Sequence, residues 1–426
     1  MNEKNSLSNK GWTVVIAGLS INLILGVLYA WSVIAKALRT NLHWTKTEAT
    51  MPFTVATVCF AGMMVFAGRC QDKFGPRLVA TAGGIILGLG LVASGLVQSP
   101  TAMALTFGLG AGLGIGLGYS ATTPPAIKWF PPARKGVITG IVVSGVGLAT
   151  VYIAPLSTYL LRITSISMTF VWLGVGTLVL APLLAQLLRN PPEQPVAQAS
   201  ATKAAAAPRR ESDWLEMLRT GQFYQLWLLM VLSVSAGMMI MTQVAFIAKE
   251  QANWDLGYVP LAILAIFNTF GRLLAGALSD KIGRTRTMTL AFLFQAVNML
   301  AFSHYTTWQL VIFGSAFTGL CYGTVFTLMP AATADFYGIR NLGVNYGLVF
   351  TAFGVAGVVG PMLGAGINDH YKSYYLAYQI SAAMLVVGAV LAMFTKPPGT
   401  QAVPVSPKPS VPLVNPIQQP GQTPAH

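Results

Sequence analysis

Arg272 is the residue whose type and position point most directly to chemistry. It lies inside an apolar stretch of the sequence, 258–279, eight residues before Asp280. At about 1.5 Å per helical residue, Arg272 lies roughly 12 Å from that aspartate, near the middle of a membrane. Insertion scales assign such an arginine a cost of about 2.5–3.5 kcal/mol. Because a guanidinium does not deprotonate in proteins, Arg272 must face water, an anion or hydrogen-bond acceptors.

The acidic residues of the chain do not supply the anion. All twelve Asp and Glu residues fall in loops, in the tails or near the ends of apolar stretches. An ion pair within the membrane is therefore disfavoured, and main-chain carbonyls with water remain an alternative set of partners. We expect the anion to be the substrate, because a guanidinium matches the two oxygens of a carboxylate. A single buried cation favours a small monocarboxylate over a dicarboxylate.

Other polar side chains in the apolar stretches are placed to complete a binding site. Asn268 lies four residues before Arg272, and therefore on the same face of a helix. Tyr119 and Tyr322 follow glycines at comparable places in the two halves of the chain. Packing between helices explains each tyrosine equally well. The candidate substrate-binding residues are Arg272, Asn268, Tyr119, Tyr322, Tyr29 and Leu28.

A short polar motif occurs twice, with its aspartates 208 residues apart. Both copies read Gly-x-x-x-Asp-Lys-x-Gly, and arginine follows each of them. The aspartate can bond main-chain or basic groups at a neighbouring helix end, and the later glycine permits a tight reversal. The repetition indicates a duplicated chain, and we expect the two loops to act as conformational latches. The predicted latch residues are Gly68, Asp72, Lys73 and Arg77 in the first copy and Gly276, Asp280, Lys281 and Arg284 in the second.

A second pattern supports the duplication. A phenylalanine, an arginine and two glycines recur with an offset of 206 to 207 residues, after the fourth and the tenth apolar stretch. Two unrelated patterns with nearly the same offset indicate two equivalent halves. The members of this pattern are Phe130, Arg134, Gly136 and Gly140, and then Phe336, Arg340, Gly343 and Gly347.

The elements that position these residues are membrane-spanning helices. Hydrophobic residues make up 54% of the 426 residues and charged residues only 9%, whereas soluble domains contain about 25% charged residues. A helix needs about 20 apolar residues to cross a bilayer. The sequence predicts an all-α membrane protein with twelve such spans, at 12–36, 50–69, 78–98, 101–124, 137–161, 166–188, 223–248, 258–279, 287–304, 308–333, 343–367 and 374–395.

The distribution of Lys and Arg predicts the orientation. With both termini inside the cell, the inside segments hold 19 of the 26 Lys and Arg residues, the outside segments hold 6, and Arg272 is intramembrane. This bias accounts for the net charge of +14 as a topology signal, so a nucleic-acid role is disfavoured. We expect a monomer in the cell (inner) membrane, with the lipid bilayer as its surroundings.

Four segments follow from the hydropathy pattern. Two six-helix bundles, at 1–189 and 223–395, are joined by a cytoplasmic linker at 190–222. The linker contains a candidate short amphipathic helix near Trp214, although a solvated loop with one turn explains it equally well. The tail, 396–426, is rich in Pro and Gln and is predicted to be disordered. No nucleophile–base set and no metal-ligand cluster is present in the sequence, so we expect no enzyme and no cofactor.

The doubled loop motif resembles the signature of the major facilitator superfamily. The resemblance covers nearly the whole chain and implies two six-helix bundles related by a pseudo-twofold axis, with a central cavity alternately open to each side. Within that family, four features are similar to the oxalate/formate antiporter branch and to the related monocarboxylate transporters. These features are the run Gly26–Ser32, Tyr119 after glycine, Arg272, and the run Asn345–Gly347.

The resemblance implies that Arg272 holds the substrate carboxylate. In the oxalate exchanger a span-eleven lysine engages the second carboxylate, and the matching position here is Phe353, which favours a monocarboxylate such as lactate or pyruvate. Animal monocarboxylate transporters carry an aspartate, linked to proton coupling, where Asn268 stands here. We therefore expect a secondary transporter of a small monocarboxylate, coupled to protons by symport, with anion exchange as the alternative and a non-transporting sensor as a remote one.

Overall fold

The computed structural model describes residues 2–192, 211–254, 256 and 258–398, and within them it is built from long helices. The first six form one bundle and the last six another, which agrees with the all-helical fold predicted from the sequence. The long helices are α1, Lys10–Asn41; α2, Lys46–Phe74; α3, Pro76–Gly95; α4, Pro100–Lys128; α5, Lys135–Ile163; α6, Ile166–Ala185; α7, Gly221–Ala252; α8, Tyr258–Ile282; α9, Arg284–Phe302; α10, Trp308–Tyr337; α11, Leu342–Tyr371; and α12, Tyr375–Phe394.

Among the described residues, eleven helices are long and apolar enough to cross a membrane. The helix outside this group is α9, which corresponds to the predicted span 287–304. Its polarity comes partly from Gln295 and Asn298, whose side chains are buried rather than exposed to lipid. Both amides donate to the hydroxyl of Thr318 on α10, at 3.1 and 3.0 Å. These hydrogen bonds satisfy the polar groups inside the bundle, as the membrane interior requires.

Glycines with positive φ connect the second and third helices of each half. Gly75 joins α2 to α3 with φ of 85°, and Gly283 joins α8 to α9 with φ of 96°. Residues with a Cβ rarely adopt this region of backbone conformation. The repeated motif therefore reverses the chain at the same end of both bundles, which we call the latch face.

The two bundles meet through two crossed helix pairs, α2 with α11 and α5 with α8. The glycines of the two sequence repeats lie opposite each other in these pairs, because a Cβ on Gly68 would collide with the backbone of Gly343 and one on Gly276 with that of Gly136. Toward the opposite face the first pair packs less closely, since a Cβ on Gly357 would make ordinary contact with Thr57, at 3.7 Å. The structure is therefore closed at the latch face.

After residues 190–192, the described part of the linker resumes at residue 211 and contains a short helix, Trp214–Leu218. Asp213 and Glu216 form a capping box at its start, and Met217 is buried. The main-chain N–H of Ser212 donates to the carbonyl of Tyr337 at 2.9 Å, which fixes the segment against the end of α10. The predicted amphipathic helix thus exists as little more than one turn. Residues 193–210 and 399–426, with most of the linker and the tail, lie outside the described residues.

Candidate functional site

Arg272 lies between the two bundles and is 2% exposed. Its Nε donates to the side-chain oxygen of Asn268 at 3.2 Å, one turn earlier on α8. Its Nη1 donates to the main-chain carbonyl of Val143 on α5. The guanidinium carbon is 5.1 Å from the ring centroid of Phe326 on α10. Within the described part of the chain, two neutral acceptors and one aromatic face therefore contact the cation.

The Arg272 guanidinium keeps hydrogen-bonding capacity in this arrangement. Among the described residues no carboxylate forms an ion pair with it, and no hydrogen bond from its Nη2 is formed. Main-chain and amide acceptors are the partners that the sequence left open as an alternative to an anion. Because neutral acceptors do not cancel the charge, the site remains attractive to an anion.

Small residues bring the neighbouring helices close to Arg272. A Cβ on Gly140 of α5 would lie 2.6 Å from the carbonyl oxygen of Arg272. Gly319 and Gly323 bring α10 against the backbone of α8 in the same way. The hydroxyl of Thr327 also donates to the Arg272 carbonyl, at 3.0 Å. The backbone around the arginine therefore packs closely against helices of both bundles.

Aromatic side chains from both bundles cover the site beside the guanidinium. The rings of Phe350 and Phe353 are stacked, with centroids 5.1 Å apart and planes at 24°. Phe60 of the other bundle contacts both rings, at 5.1 and 5.9 Å, and Tyr119 lies 5.7 Å from Phe350. We call this group the aromatic cluster, and its members are Phe60, Tyr119, Phe326, Phe350 and Phe353.

The two predicted tyrosines have different surroundings. Tyr119 is 4% exposed and belongs to the aromatic cluster. Tyr322 is also buried, and its ring packs against Gly237 and, at 5.0 Å, against Phe326. Both contribute to the centre of the protein, from opposite bundles.

Tyr346 on α11 joins the site, although the sequence did not single it out as a binding residue. It is 3% exposed, lies beside Tyr119 and is within electrostatic range of Arg272. Its ring centroid is 5.7 Å from that of Phe350. The signal that could have identified it is the run Asn345–Gly347, where a tyrosine precedes the glycine that packs on α2.

Leu28 is not brought to Arg272 by any contact among the described residues, and Tyr29 follows it in the chain. Both lie in a short 3-10 turn, Gly26–Ala30, which interrupts α1. Leu28 is half-buried and packs against the hydrophobic core. The side chain of Tyr29 lies outside the described part of the structure.

The aspartates of the two predicted latches make equivalent contacts across the bundle interface. Asp72 accepts hydrogen bonds from the main-chain N–H groups of Gly343 and Val344, at 3.2 and 2.9 Å. Asp280 accepts them from the N–H groups of Gly136 and Val137, both at 2.9 Å. Each carboxylate thus binds the N-terminus of a helix in the other bundle, where the helix dipole favours negative charge.

The arginines of the two motifs have different roles. Arg284 pairs with Asp280 at 2.5 Å and with Asp335 at 3.0 Å. Asp335 in turn pairs with Lys135 of the other bundle at 2.9 Å, so the charges continue across the interface. Arg77 instead donates to the carbonyl of Leu188, within its own bundle.

The two motif lysines are exposed at the latch face. The ammonium of Lys73 lies 5.2 Å from the ring centroid of the adjacent Phe74. Lys281 takes part in no ion pair among the described residues. The contacts of the latches therefore come from the glycines, the aspartates and Arg284.

Known proteins share this sequence pattern and this arrangement of helices. The family model of the Major Facilitator Superfamily matches residues 12–306 and 265–422. An oxalate:formate antiporter of Oxalobacter formigenes is 29% identical over 92% of both chains. Monocarboxylate transporter 13 of Rattus norvegicus is 24% identical over 89% of this chain and 87% of its own.

The solved structure of the proton:xylose symporter XylE has the same fold. It superposes with a TM-score of 0.72 over 91% of this chain and 96% of its own, at 16% identity. The two-bundle fold predicted from the doubled motif is confirmed by this likeness. The chain belongs to the Major Facilitator Superfamily and is a multi-pass membrane transporter, not an enzyme.

Proposed function

We propose that this transporter carries a small monocarboxylate, and that Arg272 binds the carboxylate. The observation that carries the proposal is a fully buried guanidinium between the bundles whose acceptors, among the described residues, are the neutral groups of Asn268 and Val143. A carboxylate can accept from the Nη atoms as a two-pronged ion pair, which Val143 alone does not provide. The names of relatives that carry oxalate, formate or monocarboxylates agree with an anionic substrate of this size.

The aromatic cluster supports a substrate with an apolar body. Phe353 and Phe350 lie beside Phe326, whose ring faces Arg272. A second carboxylate placed among these rings would lose its hydration without gaining a cation, which is costly. The short apolar body of lactate or pyruvate would instead contact the rings. Hydroxyls of Tyr119 and Tyr346 supply polar contacts for a carbonyl or hydroxyl group.

The transport cycle in this proposal is alternating access, in which the central site opens to each side of the membrane in turn. The latch face carries both motif loops and the interbundle contacts of Asp72 and Asp280. The excess of Lys and Arg on this side supports a cytoplasmic location for it, in the cell membrane. On this orientation the structure is the conformer closed to the cytoplasm. A bound carboxylate would change the balance between conformers only by interacting differently with each.

Proton-coupled symport is the coupling mode that we propose. Arg272 finds acceptors within the protein on both bundles, Asn268 and Val143, so a carrier without substrate can close and return. Net transport requires such a return, and inward proton flow would then drive accumulation of the anion. The transporter functions as a monomer in this proposal, since each chain contains a complete site.

Anion exchange is the second candidate, and one observation favours it. No acidic residue in the described part of the chain pairs with Arg272, so the proton carrier is not evident among the side chains that touch the site. In an exchanger, a counter-anion would have to occupy Arg272 during the return step. The relative of Oxalobacter formigenes is named as an antiporter.

Uptake into proteoliposomes tests the substrate and separates the two modes. Labelled lactate is supplied outside, with either an inward pH gradient or internal unlabelled lactate, and oxalate serves as a competitor. Symport predicts accumulation driven by the pH gradient in vesicles without internal anion. Uptake only in anion-loaded vesicles would identify exchange. Absence of uptake in every condition, for lactate, pyruvate and formate alike, would refute the monocarboxylate proposal.

A further inference from the structure

The charge network at the C-terminal half's latch differs from that of the N-terminal half. In the second half Asp335, at the end of α10, pairs with Arg284 and with Lys135 of the opposite bundle. Lys135 is 5% exposed, and its ammonium also donates to the carbonyl of Ala334 at 3.2 Å. Asp335, which lies outside the repeated motif, thus connects the motif residue Arg284 to Lys135 of the other bundle.

The first half lacks both members of this interbundle ion pair. With the repeat offset of 206 residues, Trp129 stands where Asp335 stands in the second half, and Asn341 stands at the place of Lys135. The indole N–H of Trp129 donates to the carbonyl of Arg189, within the same bundle. From this correspondence of positions alone, Asp72 would keep its two main-chain hydrogen bonds across the interface, but no interbundle ion pair would accompany them.

The linker contributes a carboxylate, that of Glu211, at the start of α11. Glu211 accepts hydrogen bonds from the main-chain N–H groups of Ile339 and Arg340, at 3.4 and 2.9 Å, just before α11. Asp72 binds the same helix end, at Gly343 and Val344, and Lys128, at the end of α4 in the opposite bundle, lies within electrostatic range of Asp72 and of Glu211. A cation of the N-terminal bundle therefore faces two acids, one of which is fixed on the C-terminal bundle.

The backbone next to Glu211 is anchored to the same helix end. The carbonyl of Ser212 accepts from the side-chain amides of Asn341 and Asn345, at 3.3 and 3.1 Å. At the other end of the segment, the hydroxyls of Thr220 and Tyr337 lie 2.7 Å apart. Residues 211–220 are thus attached to the ends of α10 and α11, and Glu211 moves with the C-terminal bundle.

We propose that Glu211 is a positioning residue of the transport cycle, which completes the latch of the N-terminal half from the linker. Glu211 supplies the acid and Lys128 the cation that Asp335 and Lys135 supply in the other half, with the bundles exchanged, since here the acid is fixed on the bundle opposite to the motif. Closure at the latch face brings Lys128, which lies in the same bundle as Asp72, to Glu211, and opening separates Lys128 from Glu211. The part of this proposal that concerns transport rests on the proposed function, whereas the effect on closure does not depend on any substrate.

A distance measurement between the bundles tests the proposal in the full-length protein. Spin labels are attached to cysteines introduced at exposed Lys10 and Arg286, after alanine has replaced the native cysteines. The ratio of closed to open conformers is then compared among the unsubstituted chain, Glu211→Gln, Lys128→Gln and the double variant. The native cysteines are Cys59, Cys70 and Cys321.

We expect each single substitution to lower the closed-to-open ratio about two- to fivefold, as the attraction between partly exposed opposite charges allows. The double variant should fall no further than Lys128→Gln, because that substitution already removes the attraction between Lys128 and Glu211. Asp213→Asn is the matched control, since it removes a carboxylate that caps only the short helix. It should leave the ratio unchanged.

Two results would overturn the role of Glu211. One is an unchanged ratio in Glu211→Gln, and the other is a double variant whose shift equals the sum of the single shifts. The second result would be expected if Glu211 acted only by binding the N–H groups at the start of α11, without an interaction with Lys128. Because the measurement contains no substrate, failure of lactate uptake would bear on the proposed function and not on this proposal.

Discussion

The guanidinium of Arg272 donates a hydrogen bond to the main-chain carbonyl of Val143, and this bond joins the C-terminal bundle to the N-terminal one. The residue proposed to bind substrate is therefore also an interbundle contact. A carboxylate that replaces Val143 as the acceptor would change the contacts between the bundles. Binding and conformational change are thus linked through one side chain.

The glycines of the crossed helix pairs give the first prediction. A Cβ on Gly136 would lie 2.5 Å from the carbonyl oxygen of Gly276, and one on Gly343 equally close to that of Gly68. Replacement of either residue by alanine should force the helices apart, because backbone atoms cannot yield as a flexible side chain does. Overpacking of this kind costs about 1–3 kcal/mol, so the uptake of labelled lactate should fall roughly tenfold or more.

Two other glycines supply the controls for these variants. A Cβ added to Gly62 or Gly176 would meet no atom within 4 Å, so Gly62→Ala and Gly176→Ala should transport at the rate of the unsubstituted chain. Uptake and the interbundle distance are measured for all four variants. Normal uptake by Gly136→Ala and Gly343→Ala would show that close approach of these helices is not required.

The second prediction concerns Asp335, which lies between two cations. Asp335→Asn should lower the thermal stability of the detergent-solubilised protein more than Lys135→Gln does. The reason is that loss of Asp335 leaves Lys135 buried without its ion-pair partner, whereas loss of Lys135 leaves Asp335 paired with Arg284. Because the Asp335 side chain is 33% exposed, we expect a moderate loss, about 1–3 kcal/mol.

The melting midpoint provides the measurement for this ion-pair chain. Asp369→Asn serves as the control, since Asp369 is an exposed carboxylate at the opposite face. Equal midpoints for Asp335→Asn and Asp369→Asn would refute the structural importance assigned to the chain of charges.

The sequence predicted much of this architecture and less of the detail of the site. The doubled motif identified Asp72 and Asp280, and apolar segments identified the helices, because both signals are local in the chain. The partners of these aspartates are main-chain N–H groups, which every residue type except proline carries, so no side-chain pattern identifies them. For a similar reason the main-chain carbonyl of Val143 could not be foreseen as a partner of Arg272.

Polar residues with distant partners explain another part of what the sequence did not predict. Asn298 reduces the hydropathy of α9, yet hydrogen bonds to α10 place it in the protein interior. Glu211 looked like one of several linker charges until the fold placed it beside α11 and Lys128. Both cases depend on contacts between segments distant in the chain.

The third prediction tests the apolar part of the proposed site. Phe353→Lys should weaken inhibition of lactate uptake by monocarboxylates and introduce inhibition by oxalate. A second cation near Arg272 can pair with a second carboxylate, whereas the phenyl ring of Phe353 cannot. Phe353→Leu, which keeps an apolar side chain, should retain monocarboxylate preference with a lower apparent affinity because its ring contacts are lost.

Competition by unlabelled oxalate and pyruvate against labelled lactate measures this change. If Phe353→Lys and Phe353→Leu showed the same inhibitor profile as the unsubstituted chain, Phe353 would not contact the substrate.

Transport by Arg272 variants tests the central claim most directly. Initial uptake of labelled lactate is measured for the unsubstituted chain, Arg272→Lys and Arg272→Ala, at equal amounts of reconstituted protein. We predict background uptake for Arg272→Ala and a reduced but measurable rate for Arg272→Lys, because an ammonium keeps the charge without the two-pronged geometry. Uptake by Arg272→Ala at the rate of the unsubstituted chain would contradict the assignment of Arg272 as the carboxylate-binding residue.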